Sequence, residues 1–272
     1  MLKKPTLDRR TLLLASGGAL LALPLLPILG CGAASTEDED GDGSSDDTTD
    51  DTTTGDWATG GTAAITVAYV DPFTDDLGTA CSVTESLTEG PCYSTSPVRS
   101  DISEGLDGLP LRLCFKVVDA DCNPVAGAEV DIWHCDPYGV YSGSDMAAVD
   151  FCTGGDPDYY NNDFFRGIQT TDSDGLVYFD TCFPGWYSSR AIHIHFIVSK
   201  GGTHLTSQVG FADSLVNAIT ANEPIYRERG TPDTSNRTDT VFPTNDYETF
   251  LMETGQQSDG SMLAWKALVI DL

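Results

Sequence analysis

Tyr187, Arg190, His193 and His195 fall within residues 187–195 of a 272-residue chain that holds only four histidines. In an extended strand, residues two apart point to one face, so the His-x-His pair presents both imidazoles together. Side-by-side imidazoles suit a metal ion better than an apolar core, because each neutral ring offers a nitrogen lone pair. The phenol of Tyr187 is close enough along the chain to join them. On these residues alone several metals are compatible.

The elements that must position this segment read as short strands. Apolar alternation and β-branched residues mark 65–70, 109–118, 128–133, 167–171, 176–180, 192–199 and 203–211, with 262–272 closing the sheet. Turn-forming clusters separate them, such as Asp119 to Pro124 and Thr171 to Gly175. Helical signal is confined to one short segment, 214–221. Many short strands without alternating helices predict an all-β fold, an antiparallel β-sandwich with long loops and little helix. Residues 61–272 are of the right length for one such domain.

Upstream of that domain the composition changes twice. Lys3, Lys4, Arg9 and Arg10 precede an apolar run from Thr11 to Leu29. The arginine pair looks like a twin-arginine export signal, and Ile28-Leu29-Gly30-Cys31 resembles a bacterial lipobox. Together they predict a signal peptide over 1–30 and a lipid anchor at Cys31 in a periplasmic or cell-surface protein. Residues 31–60 read as an acidic disordered tether, with ten acids and no base between 36 and 56. Asp38 to Gly43 has a partial likeness to a calcium loop, but Thr49 stands where a bidentate acid is needed.

The net charge is −28, and the domain itself holds 31 acids against ten bases. Such an excess argues against nucleic acid and against anionic membrane surfaces, leaving the lipid as the only expected membrane contact. Seven cysteines follow Cys31 without any Cys-x-x-Cys spacing, so structural disulfides are expected in an exported chain. An odd count leaves at least one thiol free or paired between molecules.

Four motifs carry a resemblance. Thr88-Glu89-Gly90-Pro91-Cys92-Tyr93 comes first, then Val130 to Asp136 with Gly139-Val140-Tyr141-Ser142-Gly143, then Phe165 to Asp172, then Pro184 to His195. In that order they resemble the intradiol ring-cleavage dioxygenases, which include protocatechuate 3,4-dioxygenase and catechol 1,2-dioxygenase, over about Glu89 to Phe211. The exported, disulfide-bearing branch is the more similar one. The resemblance implies a non-haem Fe(III) held by Tyr141, Tyr187, His193 and His195. Phenolates are hard anionic donors that favour ferric iron, which agrees with this set. The implied reaction opens a catechol-type aromatic diol between its hydroxyls with O2, giving a cis,cis-muconate-type product. In it Tyr187 is both ligand and base, Arg190 stabilises developing charge, and Gln208 orients the centre.

Other candidates are set aside on position. Tyr138 is out of the Gly-x-Tyr register that matches at Tyr141, and Tyr178 lies in a strand pattern where packing is expected. His134 is expected to be a satisfied buried histidine near the centre, and His204 to be exposed beside a Gly-Gly turn. The chain also departs from the family. Only two residues separate Tyr187 from Arg190 where the cytoplasmic enzymes carry a longer insertion, and Cys92 stands where an aromatic is usual. It shows no counterpart of the N-terminal helical region that catechol and hydroxyquinol dioxygenases use for pairing. Two competing readings are a sandwich binding module that retains a metal without turnover, and a zinc hydrolase. The latter lacks a carboxylate in the key segment.

Overall fold

Alternate residues of the central strands face inward, and the inward sets close one core between two sheets. The computed structural model describes residues 56–75 and 77–272. The expected signal peptide, the lipobox at Cys31 and the calcium-like stretch lie outside the described residues, as does the tether up to residue 55. The strands are β1 (Pro110–Val118), β2 (Glu129–Trp133), β3 (Arg166–Thr170), β4 (Leu176–Cys182), β5 (His193–Lys200), β6 (Thr203–Gly210), β7 (Glu253–Gln256) and β8 (Met262–Val269). One sheet runs β4-β1-β8-β7 and the other β3-β2-β5-β6. This is the expected all-β sandwich. Its pairings are antiparallel except that of β1 with β8, which is parallel.

Leu111, Leu113, Phe115 and Val117 of β1 meet Ile194, Phe196 and Val198 of β5 across the core. Burying side chains of this size contributes about 1.5–3 kcal/mol each. Because β5 turns its even-numbered residues inward, His193 and His195 fall on the outer face of their sheet, under the connecting loops.

Several expectations change. Residues 65–70 form no strand. Their backbone is held by side chains instead: Thr66 and Val67 donate to Asp259 Oδ2 at 2.6 and 3.0 Å, and Val67 accepts from Arg112 Nη1 at 2.8 Å. Tyr69 and Val70 stay exposed, so alternation here reports no burial. Strand β7 is mostly polar and carried no apolar signal. The folded region begins before residue 61, since Trp57 packs on the core and Ala58 N–H donates to Gly260 O at 2.8 Å. The expected helix spans Asp213–Asn222, with Val216 and Ile219 turned inward. Among the described cysteines, Cys81 pairs with Cys122 and Cys92 with Cys152, while Cys114, Cys135 and Cys182 are buried thiols.

Candidate metal centre

Strand register places the two histidines among fixed neighbours. His195 stands between Trp133 of β2 and Gln208 of β6. The Trp133 indole stacks on its imidazole at 4.8 Å and 9° between planes, setting the ring's orientation. His193 is aimed by its own backbone: Nδ1 donates to Ala191 O at 2.7 Å, which leaves Nε2 as a lone pair facing outward.

Tyr141 arrives from a loop that is tied at both ends. Asp136 Oδ1 accepts from Tyr138 N–H and Val140 N–H, both at 2.9 Å, and turns the chain before Tyr141. Gly139 sits at φ +80° with its open side on Trp186, where a Cβ would lie 2.1 Å from the carbonyl oxygen. That close approach brings the Tyr141 and Tyr187 segments together. Beyond the turn, Tyr141 N–H donates to Cys152 O at 2.8 Å, next to the Cys92–Cys152 disulfide.

The short Tyr187-to-Arg190 stretch is a tight turn. Ser189 adopts φ +69°, which is costly for a residue with a Cβ. Asp233 holds it there, accepting from Ser188 Oγ at 2.7 Å and Ser189 N–H at 3.1 Å.

These supports bring four donor atoms to one place. His193 Nε2 lies 3.1 Å from His195 Nε2, 3.1 Å from Tyr187 Oη and 3.4 Å from Tyr141 Oη, and the two phenol oxygens are 3.5 Å apart. Atoms bound tetrahedrally at about 2.0–2.1 Å from a common point lie roughly 3.3 Å from one another. Burial, reinforced by Arg190, holds the His193 pKa well below its ordinary value. Burial, then His193, does the same for His195. Both rings are therefore neutral, as metal ligands must be. Burial pushes both phenols up, Tyr141 further than Tyr187, so their ionisation calls for a cation between them. The residues present fit a metal ion that is hard and highly charged.

Comparison with known proteins identifies the family. Residues 89–229, just over half of the chain, match the Dioxygenase_C (dioxygenase) family model. The chain belongs to the intradiol dioxygenase family. A catechol 1,2-dioxygenase of Acinetobacter lwoffii is 30% identical over 150 residues, covering 46% of this chain and 45% of that protein. The chain thus spans about half the length of the curated relatives it matches. The intradiol ring-cleavage dioxygenase from Tetranychus urticae superposes with a TM-score of 0.61 at 29% identity, covering 70% of this chain and 95% of that one. The dioxygenase domain of a dioxygenase and carbohydrate-binding fusion from Streptomyces sp. SirexAA-E gives a TM-score of 0.51 at 26% identity, covering 70% and 99%.

Within this family member, Arg190 is also part of the cluster. Its Nη1 lies 3.2 Å from His193 Nε2 and 3.5 Å from Tyr187 Oη, and its Nη2 donates to Gln208 Oε1. Gln208 in turn donates to Thr88 O at 2.7 Å, so it ties Arg190 to the first motif. All the candidates read from the sequence meet here, except those set aside. Tyr138 is exposed, Tyr178 bonds Val70 O at 3.0 Å, and His204 is an exposed partner of Ser199. Two contributors were not singled out as site residues. Asp239, which grips Arg190, is one acid among 42. Trp133 was legible only as part of a motif, although strand parity across from His195 specifies its stacking.

His134 is buried, and its hydrogen bonds go to groups other than the four donors. Its nitrogens meet Cys135 O and Thr181 Oγ1, both at 2.8 Å. Burial pushes its pKa down to about 4. Between pH 6.5 and 4 the unfolded chain binds a proton here that the folded chain refuses. The stability His134 confers is therefore complete above pH 6.5 and falls by about 1.4 kcal/mol per unit toward pH 4. Comparing wild type with His134→Gln by thermal melting should show a shallower acid limb in the variant. Parallel limbs would mean that this ring is protonated in the fold.

Proposed function

We propose that this chain is an Fe(III)-dependent intradiol dioxygenase that opens a catechol-type aromatic diol with O2 to a cis,cis-muconate-type product. The reading rests above all on the convergence of Tyr141, Tyr187, His193 and His195 within 3.1–3.5 Å, with the Arg190 guanidinium against the same atoms. Two phenolates and two neutral imidazoles would hold ferric iron. When bound, that ion supplies a Lewis-acidic, redox-active centre at which a diol and O2 meet.

The chain's own groups then have separate tasks. Tyr187 is less enclosed than Tyr141 and stands beside the Arg190 cation. Its oxygen is the one placed to accept a proton from an incoming hydroxyl. Arg190 Nη1 offers a fixed donor to negative charge arising on the substrate, at no cost of reorientation. Trp133 and the Ala191 carbonyl keep the two imidazoles aimed. The tight turn at Ser188-Ser189 lies directly between Tyr187 and Arg190, so its residues would tune substrate preference locally. Export as a lipoprotein remains part of the proposal, supported by the signal-like N-terminus and by the two disulfides.

Oxygen-electrode measurements on iron-loaded protein with a panel of small catechols test the reading. One O2 consumed per diol, with a muconate-type ultraviolet product, is expected. A protein that binds iron and diol without consuming O2 is instead a binding module.

A further inference from the structure

We infer that Asp239 is the positioning residue of this centre, acting through Arg190; the inference rests on the dioxygenase reading above. The Asp239 side chain is fully buried, and each of its oxygens accepts two hydrogen bonds. Oδ2 accepts from Arg190 Nε at 3.0 Å and from Ala191 N–H at 2.6 Å. Oδ1 accepts from Val241 N–H at 2.7 Å and Phe242 N–H at 2.8 Å. The carboxylate is thus nailed to its own loop on one side and grips the 190–191 backbone and guanidinium on the other.

The consequence is geometric. A guanidinium is a planar fork, so fixing two of its edges fixes the third. Asp239 takes Nε, Gln208 takes Nη2, and only Nη1 is left to face His193 Nε2 and Tyr187 Oη. Gln208 alone leaves the fork free to swing about one contact. Asp239 also balances the guanidinium charge, so the donor can lie against the neutral imidazole of His193 without an unpaired buried cation. The same carboxylate locks Ala191 N–H, two residues before His193, so one side chain sets both the arginine and the start of β5.

The test is a double-mutant cycle in the full chain with Asp239→Asn, Arg190→Met and both together. In iron-loaded protein, Asp239→Asn should keep its iron and its visible band. Its kcat should fall about a hundredfold, the scale of losing one preorganised donor, with KM changing much less. The double variant should be no slower than Arg190→Met by more than about threefold. Losses that multiply, or an Asp239→Asn enzyme within threefold of wild type, would overturn the inference.

A readout independent of turnover accompanies it. In metal-free full-length protein, the Arg190 Nε–H should give a slowly exchanging nitrogen-15 resonance that Asp239→Asn abolishes while the backbone spectrum persists. Rapid exchange of that proton in the wild type itself overturns the inference, and needs no variant to fold. A wild-type protein with a protected Nε–H and no oxygen uptake would instead defeat the dioxygenase reading and leave the positioning role standing.

Discussion

Replacing Tyr141 and Tyr187 together by phenylalanine is expected to give a folded, colourless protein that takes up no oxygen with catechol. Wild-type protein loaded with ferric iron should be burgundy, from phenolate-to-iron charge transfer, with a broad visible band that shifts when a catechol is added. The substitution removes two hydroxyls and leaves both rings, so the packing of Tyr141 against Trp133, Cys92 and Met146 survives. What disappears is the anionic half of the donor set. Losing an outer partner of a metal ligand typically costs about 10–100-fold in affinity or activity, and losing two ligands should far exceed that. Iron content, the visible spectrum and oxygen uptake report on the outcome separately. A visible band that persists in the double variant would remove both tyrosines from the ligand set.

The second large effect concerns the Cys92–Cys152 disulfide. It spans 60 residues, and the chain-entropy estimate for such a loop is about 4 kcal/mol. Cys81–Cys122 spans 41, so its removal should cost a similar amount of stability. The two differ in what they touch. Cys152 O receives the Tyr141 N–H, and Cys92 O receives a donor of the buried Arg166, whose Nε also binds Ser142 O at 2.8 Å. Serine at both 92 and 152 should therefore weaken iron binding at least about tenfold, while serine at both 81 and 122 leaves it unchanged. Denaturant melts with parallel iron titrations compare the two. Equal effects on iron would show that the Tyr141 loop needs no covalent tie.

Much of this centre was legible because its residues are local. His193, His195, Tyr187 and Arg190 lie in one stretch, and parity alone put both imidazoles on one face. Tyr141 became visible only through the ordered motifs, since a tyrosine after Gly-Val in a turn is otherwise unremarked. The sandwich was legible from alternation, which failed where burial did not follow it. At 65–70 the polar groups are met by Asp259 and Arg112, so a strand-like pattern forms no ladder. At β7 the reverse holds, because an edge strand pairs on one side and needs little apolar character. Asp239 and Asp233 were out of reach for a different reason. They lie 40 or more residues from the atoms they hold, and in so acidic a chain another aspartate carries no information.

The sandwich interior closes without any of the four candidate ligands, which sit with Trp133 and the loops on the far side of one sheet. Interior positions answer to volume, since a methylene gained or lost there is felt at once. The outer layer answers to charge and donor geometry instead. The two constraints fall on separate residues, so the loops around the centre can diverge in sequence while the scaffold stands still.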